Sequence, residues 1–381
     1  MLLYIHVPFC RSKCAYCSFF SLPLSDQLSL NAYLNLLLKE IAFWGRRLGS
    51  VPVSSLYFGG GTPSLLSLAG LERIIRALDT AFSLQPGLEC SLEANPDSCE
   101  DPEYLRGLKS LGVNRLSLGL QSLDNAQLRR LERRHDAAQG VRVFDLARWA
   151  GFENINLDLI WGLPGQCLRS WLQTLDKTLS LQPEHIACYG LSIEGDTPLA
   201  QTVVSGETTL PAEDVQAKMF LRGAEMLESR GFLQYEISNF SRMGYACRHN
   251  QGYWDGVEYL GLGAGAVSTL GGRRWENPKN LNQYARLVRW ERLGENAQEL
   301  TPSERVKELI MLSLRTACGL ELKAYTRAAG KTFLREHARL IQVLRQNELI
   351  RISEGRLRLT KAGMLVSNSI LEHFFPATQA P

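Results

Sequence analysis

Through residue 193 the chain alternates short runs of β-branched, aromatic and aliphatic residues with longer stretches of helical period. Six runs read as strands: Leu2–Val7, Ser55–Phe58, Glu89–Glu93, Arg115–Leu120, Asn154–Ile160 and His185–Ile193, several bounded by Gly or Pro. Between them, apolar positions recur at helical spacing near Asp26–Leu48, Leu65–Phe82, Pro102–Leu111, Ala126–Arg133, Ala137–Ala150 and Leu168–Leu181. Parallel neighbours need a crossover helix, so this alternation predicts an α/β fold with a parallel sheet, a partial (β/α)6 TIM-like barrel. In such a barrel the chemistry belongs at the C-terminal ends of the strands.

After Glu194 the pattern changes to a helix near Ala212–Arg230, a strand near Gln234–Ser238 and a Gly- and aromatic-rich stretch from Asn239 to Trp275. Thr301-Pro302-Ser303-Glu304 has the residues of a capping box opening another helix. Leu349–Ile352 and Arg356–Leu359 read as a hairpin across Glu354-Gly355. The expected organisation is a barrel over 1–200, an α+β extension over 201–295 and a winged-helix-like module over 296–381, ending in a short Pro/Ala/Thr tail.

Composition narrows the function. With 381 residues and 45% apolar content the chain can bury a substantial core. Its 42 basic and 39 acidic side chains leave +3, too balanced for a protein whose main task is neutralising a polyanion. No apolar run approaches the roughly 18 residues of a membrane span, and the first residues carry no basic n-region, so a cytoplasmic protein with at most peripheral membrane contact is expected. Of nine cysteines, three crowd into Cys10–Cys17 while Cys90, Cys99, Cys167, Cys188, Cys247 and Cys318 are scattered. That distribution points to a metal or cluster site in a reducing compartment rather than to a disulfide framework.

Cys10-Arg11-Ser12-Lys13-Cys14-Ala15-Tyr16-Cys17 puts three thiolates on one loop directly after the first strand. Three such ligands can hold three corners of a cubane iron–sulfur cluster, leaving one iron open. A structural zinc site completed by His6 or a remote cysteine is the alternative. Gly59-Gly60-Gly61-Thr62-Pro63 follows the second strand, where glycines permit close backbone approach to a ligand. Glu93 and Gln121 end the next two strands and Asp158 lies in the fifth, just before Trp161-Gly162-Leu163-Pro164. Three polar side chains in consecutive βα units favour a shared ligand site over scattered surface groups.

Cys-x3-Cys-x2-Cys with an aromatic, Tyr16, before the last cysteine resembles the signature of the radical S-adenosylmethionine (SAM) superfamily. The resemblance implies a 4Fe-4S cluster held by Cys10, Cys14 and Cys17, with SAM chelating the open iron. GGGTP matches that family's methionine-binding motif. Tyr4–Cys10, GGGTP and the Glu93, Gln121, Arg133 and Asp158 positions together look like the HemN/HemW branch, which contains an oxygen-independent coproporphyrinogen dehydrogenase and a heme chaperone. By that resemblance Tyr4, Gly60, Gly61, Thr62 and Glu93 contact the cluster-bound SAM, and Tyr16, Gln121, Arg133 and Asp158 align with residues serving a second SAM in the dehydrogenase.

Two features lean toward the chaperone side. The dehydrogenase carries another cysteine two residues after the triad, where this chain has Phe19. His249-Asn250-Gln251-Gly252-Tyr253-Trp254 matches the HNxxYW motif that marks the chaperone. Neutral imidazole is a common heme-iron ligand and aromatics pack against a flat macrocycle, which suits His249, Tyr253 and Trp254; Cys247 is the runner-up ligand. The expectation is a heme chaperone with a SAM-coordinated 4Fe-4S cluster, passing heme to an apo-hemoprotein acceptor and using an electron donor; a homodimer is suggested only by the resemblance. The alternatives are radical oxidative decarboxylation of coproporphyrinogen III and a heme- or redox-responsive DNA-binding regulator. Arg351, Arg356, Arg358 and Lys361 near the hairpin are interspersed with Glu348 and Glu354 and lack an aromatic platform, so no nucleic-acid partner is expected.

Overall fold

The computed structural model describes residues 1–24, 27–195 and 197–375; Asp26 and the tail over 376–381 lie outside the described residues. The chain opens with β1 (Leu2–Val7), a short parallel pair, β2 (Phe9–Cys10) and β3 (Leu22–Pro23), and the long helix α1 (Gln27–Leu48). Next come β4 (Pro52–Gly60), α2 (Leu68–Ala81), β5 (Ser83–Ala94), α3 (Pro102–Ser110) and β6 (Arg115–Gln121). Helices α4 (Asn125–Arg130) and α5 (Ala137–Trp149) lead to β7 (Ile155–Trp161), α6 (Leu168–Ser180) and β8 (His185–Gly190).

These strands sort their side chains by parity. Leu3, Ile5, Leu56, Phe58, Leu92, Leu116, Leu118, Leu157, Leu159 and Ile186 belong to one buried cluster with apolar residues of the surrounding helices, including Leu37, Ile74, Leu108 and Phe144. The alternate positions, among them Ser55, Ser91, Arg115, Ser117, Asn156 and His185, are also buried but polar. The barrel interior is therefore built for hydrogen bonding.

After β8 the chain forms α7 (Pro198–Val204), α8 (Glu213–Ser229), β9 (Leu233–Gln234), β10 (Asn239–Ser241) and α9 (Arg248–Trp254). It continues through β11 (Tyr259–Leu262), β12 (Val267–Leu270), β13 (Arg273–Glu276), α10 (Leu281–Arg289) and β14 (Gln298–Glu299). The sheet order is β14-β13-β12-β11-β1-β4-β5-β6-β7-β8-β10-β9. Beyond the six expected parallel strands, β11 pairs in parallel with β1, from Leu2 opposite Tyr259 to Ile5 opposite Leu262. At the far edge β10 runs antiparallel to β8.

Three expected boundaries are corrected. Gln234–Ser238 is not one strand: β9 and β10 form a hairpin whose turn is tied by the Glu236 carboxylate accepting from Ser238 N and Asn239 Nδ2. The helix expected over Ala126–Arg133 stops at Arg130, because Glu132 adopts φ 56° and swings Arg133 back toward the barrel. The last barrel strand ends at Gly190, beyond which Leu191 N returns to Trp161 O.

The remaining chain comprises α11 (Pro302–Leu314), β15 (Leu320–Glu321), α12 (Leu322–Ala329), α13 (Phe333–Glu336), α14 (Ala338–Gln346), β16 (Ile350–Ser353), β17 (Arg356–Leu359), α15 (Lys361–Leu365) and α16 (Ser367–Phe374). Thr301 and Glu304 cap α11 reciprocally, as their spacing predicts. Glu354 and Gly355 take φ 53° and 72°, the two positive values of a tight hairpin turn between β16 and β17. This module buries its own cluster around Leu320, Phe333 and Leu357, and Phe220 of α8 joins that cluster. No helix among the described residues is long and apolar enough to cross a membrane.

Candidate functional site

Cys10 ends β2, and the loop carrying Cys14 and Cys17 returns through β3. Thr62 Oγ1 donates to Cys10 Sγ at 3.5 Å, and Arg133 Nη1 to Cys14 Sγ at 3.4 Å. Burial raises the Cys17 thiol pKa, a backbone hydrogen bond at Phe19 opposes it, and the neighbouring Cys14 and Cys10 add to the rise. A Cβ at Gly61 would stand 2.6 Å from Phe9 O and 3.0 Å from Cys10 Sγ, so only glycine leaves this face of the cysteine loop clear. Three soft sulfur donors on one loop, two of them receiving hydrogen bonds, fit an iron–sulfur cluster. His6 is otherwise occupied: Nδ1 meets Tyr4 OH at 3.0 Å and Nε2 meets Phe20 O at 3.1 Å, so neither nitrogen is free to complete a zinc site.

A cavity of about 470 Å³ extends from the cysteines into the barrel mouth. Its wall includes Cys10, Cys14, Cys17, Tyr16, Gly60, Gly61, Thr62, Glu93, Gln121, Arg133 and Asp158, so eleven of the thirteen candidate residues converge on one space. Tyr4 stands behind the glycine loop, where a Cβ at Gly59 would come within 2.9 Å of its ring. Gln121 holds φ 63° at a register shift between β6 and β7. Arg133 is fixed by Asn95 Oδ1 at 2.5 Å and Gly119 O at 2.8 Å.

The two acids are hydrogen-bonded and shifted. Glu93 accepts from Tyr57 OH at 2.9 Å and Gly60 N at 3.2 Å, and burial, then Asp158, push its pKa up to about 7. Asp158 accepts from Ser117 Oγ at 3.1 Å and Asn156 Nδ2 at 2.7 Å, and burial raises it despite these donors. Burial likewise raises Tyr16, against the nearby Arg133 charge. A cavity with soft sulfur at one end, the buried carboxyls of Glu93 and Asp158 and the guanidiniums of Arg115 and Arg133 can hold a zwitterionic ligand by its amino, hydroxyl and carboxylate groups.

His249 lies elsewhere, behind the cavity floor. Its ring is 1% exposed, with Nδ1 2.8 Å from Ser55 Oγ, a stack on Tyr57 at 5.0 Å between centroids, and an edge contact with Tyr253 at 4.9 Å. Burial and then Arg115 lower its pKa to about 3, so the imidazole is neutral, and Nε2 has no partner among the described residues. The Glu89 carboxylate accepts from Arg248 N, His249 N and Cys247 Sγ, seating α9 against the barrel. Cys247 is thus a protonated donor, its thiol pushed up to about 12 by burial.

Sequence reasoning missed this interior layer. Glu89, Arg115, Ser117, Asn156 and His185 hold the acids and α9 in place; Asn156 Oδ1 meets His185 Nδ1 at 2.6 Å, and His185 Nε2 meets Tyr235 OH at 2.9 Å. The available signal was polar residues at every second position of otherwise apolar strands.

Residues 4–178 match the Radical SAM superfamily, and residues 300–366 match the HemN C-terminal domain. Over almost its full length the chain is similar to the heme chaperone HemW of Synechocystis, at 34% identity over 99% of this chain and 96% of that protein. It is equally similar to the heme chaperone HemW of Bacillus subtilis, at 34% identity over 97% and 98%. A mouse mitochondrial protein, radical S-adenosyl methionine domain-containing protein 1, is 32% identical over 99% of this chain and 88% of its own. Among solved structures, coproporphyrinogen III oxidase (HemN) from Escherichia coli superposes with a TM-score of 0.83 at 24% identity, covering 98% of this chain and 90% of that one.

Proposed function

The chain belongs to the HemN/HemW branch of the radical SAM superfamily, and from that premise we propose that it is a heme chaperone, binding heme and a SAM-coordinated 4Fe-4S cluster and passing heme to an acceptor hemoprotein. Cys10, Cys14 and Cys17 would hold the cluster, which supplies one-electron chemistry when bound. Gly60, Gly61, Thr62 and Glu93 would bind SAM beside it, with Tyr4 backing the glycine loop. Tyr16, Gln121, Arg133 and Asp158 would hold the far side of the same ligand or a second one. Nine free cysteines suit the reducing cytoplasm, where an electron donor and the apo-hemoprotein would be met.

The observation that carries the heme reading is His249. A neutral imidazole with Nδ1 against Ser55 Oγ and Nε2 without a partner among the described residues can ligate iron through Nε2 in the tautomer whose Nδ1–H donates to Ser55. Because the ring is buried, ligation requires α9 to turn outward, breaking the Glu89 contacts. Heme added to cluster-reconstituted protein should give a stable Soret band that His249→Ala weakens, with coproporphyrinogen III left unconverted. Sustained decarboxylation of coproporphyrinogen III would overturn the reading in favour of the dehydrogenase.

A further inference from the structure

A second cavity, of about 660 Å³, adjoins the first and shares Tyr189, Gly190, Ser192, Asn239 and Asn250 with it, but none of the cluster cysteines. It opens where three parts of the chain meet. Trp161 ends β7, Phe220 comes from α8, Tyr253 and Trp254 from α9, and Arg315 and Asn368 from the C-terminal module. The walls are aromatic, with the Trp161 and Phe220 rings 6.0 Å apart.

Among the described residues, Arg315 is the only base lining this cavity. Its Nη2 donates to Asn368 Oδ1 at 2.8 Å, its Nε is buried with no acceptor, and no carboxylate pairs with it among the described residues. The one acid in the lining, Glu236, is turned to Ser238 N and Asn239, and burial raises its pKa toward the neutral form. The cavity thus combines the aromatic side chains of Trp161, Tyr189, Phe220, Tyr253 and Trp254 with polar groups such as Asn239 and Asn250 and one under-partnered guanidinium.

We propose that this cavity is the tetrapyrrole seat, the aromatic walls lying against the macrocycle and Arg315 receiving a propionate carboxylate. The assignment rests on the heme reading above and adds the place where the ring docks. A planar apolar ligand with carboxylates on one edge complements such walls, and the volume is that of an ordinary organic-ligand pocket. His249 stands one ring behind Tyr253, so docking against Tyr253 and Trp254 does not itself require the imidazole.

The test titrates heme, heme dimethyl ester and iron-free protoporphyrin IX into full-length protein, reading tryptophan quenching from the cavity wall together with the Soret band. Wild type should bind the free acids more tightly than the diester. Arg315→Gln should weaken both free acids about tenfold and leave the diester unchanged. Asn368→Trp, at an exposed rim position, should block all three ligands while the melting temperature stays at the wild-type value. Wild-type affinity for every ligand in both variants overturns the seat while leaving the heme reading standing. Failure of wild type to bind any tetrapyrrole removes the heme reading and the seat together.

Discussion

Glu89 Oε1 accepts the backbone N–H of His249 at 3.0 Å, so a strand of the barrel and the HNxxYW helix are joined by one buried carboxylate. The same carboxylate also takes Arg248 N at 3.0 Å and Cys247 Sγ at 3.3 Å. Removing it leaves buried donors without acceptors and takes one of the nearby acids from the buried Arg115. Glu89→Ala should therefore cost about 3 kcal/mol in denaturant unfolding, and Glu89→Gln less. If Glu89→Ala unfolds with the wild-type midpoint, the carboxylate does not hold α9.

The cysteines should separate cleanly by position. Alanine at Cys10, Cys14 or Cys17 is expected to abolish iron retention and the brown absorbance after anaerobic reconstitution. Cys167 and Cys318 are exposed and lie outside the cavity lining, so alanine there should leave iron content unchanged. Iron analysis of the five variants decides between this assignment and binding by scattered thiols.

Gly61→Ala tests the cradle rather than the ligands. The new Cβ would press on Phe9 O and Cys10 Sγ, displacing the cysteine loop from the cavity. The expected outcome is a folded protein with cluster uptake reduced at least several-fold, read by iron content and circular dichroism. Full uptake would mean that the loop has slack the geometry does not reveal.

Stability should fall with rising pH through Glu93. Its pKa of about 7 in the folded protein lies above the ordinary glutamate value, so the folded state keeps a proton that the unfolded chain releases. The resulting stabilisation is complete below the unfolded pKa, near 4.3, and is lost as pH rises through about 7. Glu40, also pushed up to about 7 by burial, titrates in the same window, so the comparison must be between wild type and Glu93→Gln. The variant should lose less melting temperature between pH 5.5 and pH 8 than wild type on this argument, which rests on linkage. Identical slopes would place the Glu93 titration elsewhere.

Much of the barrel was legible because each strand carries a continuous outward apolar face and each helix has caps or breakers near its ends. The run Leu2–Val7 coincides with β1, and the motif spacing alone brings the triad and the GGGTP loop to neighbouring strand ends. The pairing of β11 with β1 was not legible: Tyr259-Leu260-Gly261-Leu262 is a short run in a glycine-rich stretch, and its partner lies over 250 residues earlier. Nor was the position of His249. The motif announces imidazole and aromatics, but only the inward polar residues Ser55 and Glu89, on other strands, draw the ring inside.

The parallel pairing of β11 with β1 also sets an order of assembly. β1 leads into the cysteine loop, yet its second edge stays bare until residues 259–262 have been synthesised. Gly263 N and Asn277 Nδ2 then reach the buried Glu40 on α1, locking the late segment onto the early one. A nascent chain should therefore be unable to finish its cluster-binding half until well past the end of the barrel strands. A fragment cut near residue 200 would expose an unpaired strand beside the three cysteines of the loop, and is expected to aggregate rather than fold.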